Sequence, residues 1–304
     1  MRVLNIPGGA DTGGNGFRTL DAFRRLAPEW TYDLCVSTMN YMQYPGHRRW
    51  GDAPGIWDRA DVVHLRNNFE IERVLRVEPR PAIVQHHGTF YRTNHNELRA
   101  EIHKRGNVVS VVSTLDLWLI APDESEWLPA PYDLSWLASW RSPIEDGRLR
   151  IGHAPTDRRI KSTDKFLDAV DRLRRDVDVE LVLIENASWS DCLKGKGACD
   201  IYFDQAVLGY GNNSIEAWGM GIPVIAGAQD LTLSEMERRF GSLPFYRAED
   251  TPESIYGALL ALADPQTRAE WGQRGLEHVR RWHDDARVVE HLKALYTRAY
   301  EAGS

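Results

Sequence analysis

The sequence predicts an α/β protein of two domains followed by a helical C-terminal tail, and three observations predict it. Short Val/Ile-rich runs bounded by turn residues alternate with helical or loop stretches through the first half. This is the pattern of buried parallel strands joined by right-handed crossovers. The alternation is interrupted by a polar, Pro- and Gly-containing stretch, residues 141–148, and then restarts. From Thr251 the spacing is helical to the end.

Taken in order, Arg2–Ile6 reads as the first strand and 17–26 as a helix, followed by strands at 61–65, 82–85 and 108–113. After the polar stretch, Leu149–His153 reads as a strand, 163–174 as an amphipathic helix and 179–184 as a strand. Strands at 200–203 and 223–226 then flank a helix at 214–220, and 245–248 adds a short final strand. Thr251 before Pro252, and Asp264 before Pro265, pair a capping side chain with Pro at the first helical position, so each starts a helix. A last helix covers 284–302. The expected division is an N-terminal domain at 1–142, a C-terminal domain at 149–285 and a helix at 286–304 that crosses back to the first domain. In such sheets ligands sit outside the carboxyl ends of the strands, so a cleft between the domains is the expected site.

Composition narrows the function classes. A chain of 304 residues holds about two domains by length. No apolar run approaches the ~20 residues that span a bilayer, and the N-terminal apolar run is too short for a secretory signal; a cytoplasmic protein without stable membrane insertion is expected. Three cysteines, Cys35, Cys192 and Cys199, make no disulfide framework and read as small buried or half-buried side chains. A net charge of −7 argues against a protein built around nucleic-acid phosphates. Of the eleven Trp residues, Trp118, Trp127, Trp136 and Trp140 crowd the middle of the chain. They pack around the inter-domain connection, or one or two stack on a sugar.

Four segments follow strands and can face the cleft. The glycine-rich run from Gly8 to Gly16, with Gly13, Gly14 and Asn15 at its end, precedes a helix; its backbone N–H groups suit an anion. It lacks both the Gly-Lys-Ser/Thr of a P-loop and a clean dinucleotide fingerprint. His86-His87-Gly88 follows the 82–85 strand, where a histidine can bond a sugar hydroxyl or act as acid or base. Arg158, Arg159 and Lys161 form a cationic group at a helix start. Cations are unfavourable at the positive end of a helix unless an anion is bound, so a diphosphate fits there. Finally, Asp204 precedes a loop, Gly209-Tyr210-Gly211-Asn212-Asn213-Ser214, that feeds a helix carrying Glu216. That loop can cradle phosphate, and Glu216 can accept from two adjacent ribose hydroxyls. No Asp-x-Asp stands in a strand-end loop, and Asp176-Val177-Asp178 falls in a turn before a strand. No essential metal is expected.

Gly209-x-Gly211, Glu216 and Gly221-x-Pro223-Val224-Ile225 together resemble the donor-site signature of retaining GT-B-fold glycosyltransferases of the group 1, family 4-like class. His153-Ala154-Pro155, Arg158, Lys161 and Asp204-Gln205 resemble a bacterial and phage-type subset of that class. The resemblance implies two Rossmann-like domains facing a central cleft, with a nucleotide-sugar donor on the C-terminal domain and the acceptor on the N-terminal one. It implies that Arg158 and Lys161 contact the diphosphate, Glu216 the ribose and His87 or His86 the transferred sugar. Transfer would retain anomeric configuration, with the leaving phosphate deprotonating the acceptor and no cofactor beyond a UDP- or GDP-sugar co-substrate. The family usually has a Glu eight residues before the ribose-binding Glu, and here that position is Leu208. The donor sugar is therefore open, as is the acceptor: a glycan, protein, small molecule or modified nucleic-acid base. Two other classes stay open, a nucleotide-sugar epimerase and a non-catalytic nucleotide-sugar-binding protein.

Overall fold

The computed structural model describes residues 1–7, 9–11, 13–39 and 42–303. The chain divides into two compact units, one of residues 1–132 and 284–304 and the other of residues 133–283. In the first unit the elements run β1 (Arg2–Ile6), α1 (Asn15–Leu26), β2 (Thr31–Leu34), α2 (Ala53–Trp57), β3 (Val62–Arg66), α3 (Glu70–Leu75), β4 (Ala82–His86), α4 (Gly88–Arg105), β5 (Val108–Val112), α5 (Leu115–Trp118) and β6 (Glu126–Trp127). The second unit holds α6 (Leu134–Ala138), β7 (Leu149–His153), α7 (Thr163–Leu173), β8 (Val179–Leu183), α8 (Trp189–Gly197), β9 (Ile201–Gln205), α9 (Asn212–Gly219), β10 (Val224–Ala226), α10 (Asp230–Phe240), β11 (Tyr246–Arg247), α11 (Pro252–Ala263) and α12 (Pro265–Trp282). The last helix, α13 (Asp285–Gly303), belongs to the first unit.

The first sheet has the order β2-β1-β3-β4-β5-β6, and its pairings are parallel. The chain leaves β1 through α1 to β2 and then returns to β3 on the other side of β1, so the strand order reverses between β1 and β3. Alternation along β1 feeds two cores. Val3 joins Phe23, Ile83 and the α13 residues Val288, Leu292 and Tyr296 on one face. Leu4 and Ile6 join Trp57, Val63 and Val84 on the other. Burial of large apolar side chains contributes ~1.5–3 kcal/mol each. The α13 helix is also held by a polar contact, a 2.7 Å hydrogen bond between the Tyr296 hydroxyl and His64 Nδ1. Burial pushes His64 down to about 4, so this histidine is neutral near pH 7.

The second sheet, β11-β10-β9-β7-β8, is also parallel and reverses between β7 and β9. On α7 the buried residues Phe166, Ala169, Val170 and Leu173 keep helical spacing, and they pack against Ile151, Ile201 and Phe203 of the sheet. Thr251 and Asp264 cap their helices, accepting from Ser254 N at 3.2 Å and Thr267 N at 2.8 Å. The polar stretch at 141–148 is not a linker: the boundary falls at Tyr132, and the stretch is bonded into the second unit. Arg141 donates to the Gly197 and Cys199 carbonyls at 2.7 Å, and Asp146 accepts from Arg150 at 2.6 Å. Pro and Gly signalled irregular backbone correctly, but nothing local revealed these long-range partners. Among the described residues, no helix is long and apolar enough to cross a membrane.

Candidate functional site

The second unit gathers its polar residues around the reversal between β7 and β9, the position where open parallel sheets bind ligands. Asp204, near the end of β9, is 1% exposed. Its carboxylate accepts from Lys161 Nζ at 2.5 Å, Ser214 Oγ at 2.6 Å and Gly211 N at 2.8 Å. Burial alone would raise this carboxyl; the Lys161 charge and the Ser214 and Gly211 donors outweigh it and hold it below the usual range. Asp204 therefore clamps Lys161 and the start of α9 to the strand. Gly209 makes the preceding turn possible: its φ is +82°, and a Cβ there would lie 2.6 Å from Met236 Cε.

One turn into α9, Glu216 is 3% exposed. Its Oε1 accepts from Trp189 Nε1 at 2.9 Å and its Oε2 from Lys196 Nζ. Lys196 is fully buried and also donates to Asn213 Oδ1 at 2.6 Å. Burial opposes its charge, but the acidic groups of Cys192 and Glu216 prevail and raise its pKa. Asn213 in turn donates to the Ala154 carbonyl at 3.0 Å. Glu216, Lys196 and Asn213 thus lock α9 to the loop after β7. Trp189 packs at a tilt against Trp136 with ring centroids 5.0 Å apart, and Trp136 meets Trp140 edge-on at 5.5 Å. With Trp136 37% exposed, an aromatic face lies beside the Glu216 carboxylate.

Several residues singled out by sequence stand elsewhere. Tyr210 is a core side chain, 7% exposed, with its hydroxyl bonded to His278 Nε2 at 3.0 Å and His283 Nε2 at 3.1 Å. A contact with a donor is not what this packing provides. Arg158 makes a two-pronged pair with Glu185, at 2.7 and 2.6 Å, and its side chain is about half exposed. The Arg159 side chain is 93% exposed beside Asp157. Only Lys161 of the three cations joins the Asp204 cluster. His153 is fully buried between the Phe203 carbonyl (3.0 Å) and Thr163 Oγ1 (2.8 Å); burial pushes it down to about 4.

In the first unit, Gly8 and Thr12 of the glycine-rich run lie outside the described residues. Gly14 caps α1 with φ +65°, and a Cβ there would fall 2.5 Å from the Tyr44 ring. Arg18 donates to the Gly13 carbonyl and, at 2.8 Å, to Asn15 Oδ1, folding the run back on its own helix. His86 is fully buried and stacked on Tyr91 at 4.1 Å. Its ring nitrogens have no hydrogen-bond partner among the described residues. Burial pushes it down to about 4, so it is a neutral packing residue with no contact available to a sugar. His87 is half-buried at the cap of α4, its N–H donating to Asn67 Oδ1 at 2.9 Å. Burial, then Arg66, His64 and His86, lower its pKa well below the usual value. It can exchange hydrogen bonds but carries no charge near pH 7.

Sequence reasoning missed Lys196, Trp189, Arg66, His278 and His283. A lone Lys between two glycines and an isolated Trp carry no pattern; only the tertiary fold brings them to Glu216. The Arg66-Asn67-Asn68 turn does follow a predicted strand, a signal that was present.

No protein-family model matches this sequence, and no curated protein matches it. Solved structures do. HepE from Anabaena in complex with UDP-glucose superposes with a TM-score of 0.67 at 11% identity, covering 98% of this chain and 99% of HepE. Sucrose-phosphate synthase from Thermosynechococcus elongatus gives 0.65 at 12% identity, covering 99% and 100%. A Listeria monocytogenes protein assigned as a UDP-N-acetylglucosamine 2-epimerase gives 0.60 at 12%, covering 99% and 96%. With two parallel sheets, full-length coverage and a helical C-terminal tail, this chain has the GT-B fold.

Proposed function

We propose that this protein is a glycosyltransferase that moves a hexosyl or pentosyl unit from a nucleotide sugar to an acceptor hydroxyl. The observation that carries it is the paired arrangement at the reversal of the second sheet. Lys161 stands on Asp204 at the start of α9, and Glu216 stands on Lys196 one turn later. A diphosphate at Lys161 and the α9 N-terminus, with a ribose at Glu216, uses both. HepE binds UDP-glucose on the same fold.

In this reading the bond from the anomeric carbon to the diphosphate breaks and a bond to the acceptor oxygen forms. The acceptor proton passes to the departing phosphate on the same face, giving retention. Lys161 and the backbone N–H groups at the α9 start meet the developing charge without an essential metal. A UDP- or GDP-sugar is the co-substrate, His87 is an uncharged partner for the transferred sugar, and the compartment is the cytoplasm.

Calorimetry with UDP, GDP and their glucose conjugates tests the proposal. One nucleotide family should bind, and Glu216→Gln should weaken it. Unchanged affinity in that variant removes the ribose role, and no binding by the wild type removes the transferase reading. The Listeria structural neighbour favours one second reading, epimerisation. An epimerase converts the nucleotide sugar to its isomer without acceptor, which product analysis of acceptor-free reactions distinguishes.

A further inference from the structure

The first unit contains a cavity of about 350 Å³ that the donor reading does not use, within the ~300–1,000 Å³ range of small-molecule sites. Its lining includes Ile6 at the end of β1 and Arg66 at the end of β3. It therefore sits at the reversal of the first sheet, where such folds place ligands. Ser37, Asn68 and Glu70 supply further polar groups, and Trp50 and Ile71 an apolar side.

Arg66 gives the cavity its chemistry. Its side chain is 20% exposed, and its contacts are long: 3.5 Å to Asp11 Oδ1 and 3.5 Å to the Ala10 carbonyl. Its Nε has no hydrogen-bond partner among the described residues. Asp11 is already engaged through Oδ2 by Phe17 N at 2.8 Å. Burial lowers the Arg66 pKa and Asp11 only partly opposes this, so the charge is under-compensated. A guanidinium has five donors suited to a phosphate or carboxylate, and an anion in the cavity supplies what the protein does not. Glu70, exposed at the rim, is a hydroxyl acceptor rather than a partner for that anion. The same turn reaches His87, because Asn67, with φ 63°, accepts the His87 N–H.

We propose that this cavity binds a small polyhydroxylated anion, a sugar or polyol carrying one phosphate or carboxylate, and that Arg66 pairs with its anionic group. This deepens the transferase reading, on which it rests only for the ligand's role as acceptor.

Calorimetry of the full chain with glucose 6-phosphate, glucuronate and glucose, with UDP present at saturation, tests the proposal. At least one anionic probe should bind and glucose should not. Arg66→Gln should weaken that probe by about ten- to a hundredfold while leaving UDP affinity unchanged. Should that variant fail to fold, Ser37→Asp adds a negative charge at an exposed lining position and should weaken the anionic probe comparably. Binding of glucose as tight as the anions, no binding of either anion, or affinity indifferent to both substitutions overturns the proposal. Loss of UDP binding in the wild type instead strikes the transferase reading, and the probe titrations without UDP still decide the cavity.

Discussion

Lys196 donates to Glu216 in a pair closed to solvent, with Lys196 fully buried and Glu216 3% exposed. Removing two charges from water costs several kcal/mol per ion, so bare attraction would not hold them there. Asn213 Oδ1 accepts a further hydrogen bond from Lys196, and Trp189 Nε1 donates to the other Glu216 oxygen. A carboxylate has about four acceptor positions, so these donors and a ribose diol are compatible. The pair holds the Glu216 side chain in one orientation, one turn into α9.

Lys196→Met should destabilise the protein by about 3–5 kcal/mol, the usual cost of stranding one member of a buried pair. Adding Glu216→Gln should recover part of that loss, because the stranded charge is gone. Urea unfolding of both single variants and the double variant measures this as a coupling energy. Strictly additive losses would show that the two side chains are neighbours without being partners.

Lys161→Ala should lower turnover at saturating donor on the order of 10²-fold, as for other preorganised charge donors. It also leaves Asp204 short of the cation that it contacts at 2.5 Å, so stability should fall as well. Asp204→Asn in the same chain separates the effects: stability should rise again while turnover stays low. Recovery of turnover in the double variant would reduce Lys161 to a structural role.

The parallel strands and the carboxyl-end loops were readable because burial on both faces forces Val/Ile-rich runs and because Gly209, with φ +82°, stands where a turn demands it. Asp204, Lys161 and Glu216 stood out as charges near the strand-end loops and helix starts of the second half. Their partners did not. Lys196 lies 20 residues from Glu216 and Asp204 lies 43 from Lys161, and sequence spacing does not encode such pairings. Arg158 pairs with Glu185, just past β8, a partner 27 residues away that the run of three cations in four positions does not announce. Tyr210 misled because a tyrosine between glycines looks accessible, while α12 supplies His278 and the turn after it supplies His283.

Tyr210→Phe should therefore cost about 1–3 kcal/mol of stability, leaving His278 and His283 without the hydroxyl they share. Nucleotide affinity should be unchanged. Thermal unfolding together with calorimetry against UDP or GDP checks both halves. Weakened nucleotide binding at unaltered stability would return Tyr210 to the donor site.

The Asp204 carboxyl makes a prediction in pH. Burial would raise its pKa, but Lys161, Ser214 and the Gly211 N–H hold it below the range it has in the unfolded chain. A carboxyl depressed by folding stabilises the protein fully above its unfolded pKa, ~3.9 for Asp, and loses that contribution as pH falls through the lower folded value. The stability gap between wild type and Asp204→Asn should accordingly be widest near pH 7. It should narrow as the solution is taken below about pH 4, while the other carboxyls titrate alike in both proteins. Urea unfolding of the two proteins across that range measures the gap directly. A gap that stays constant into acid would mean that Asp204 is not held ionised by Lys161, and the clamp between β9 and α9 would need another cause.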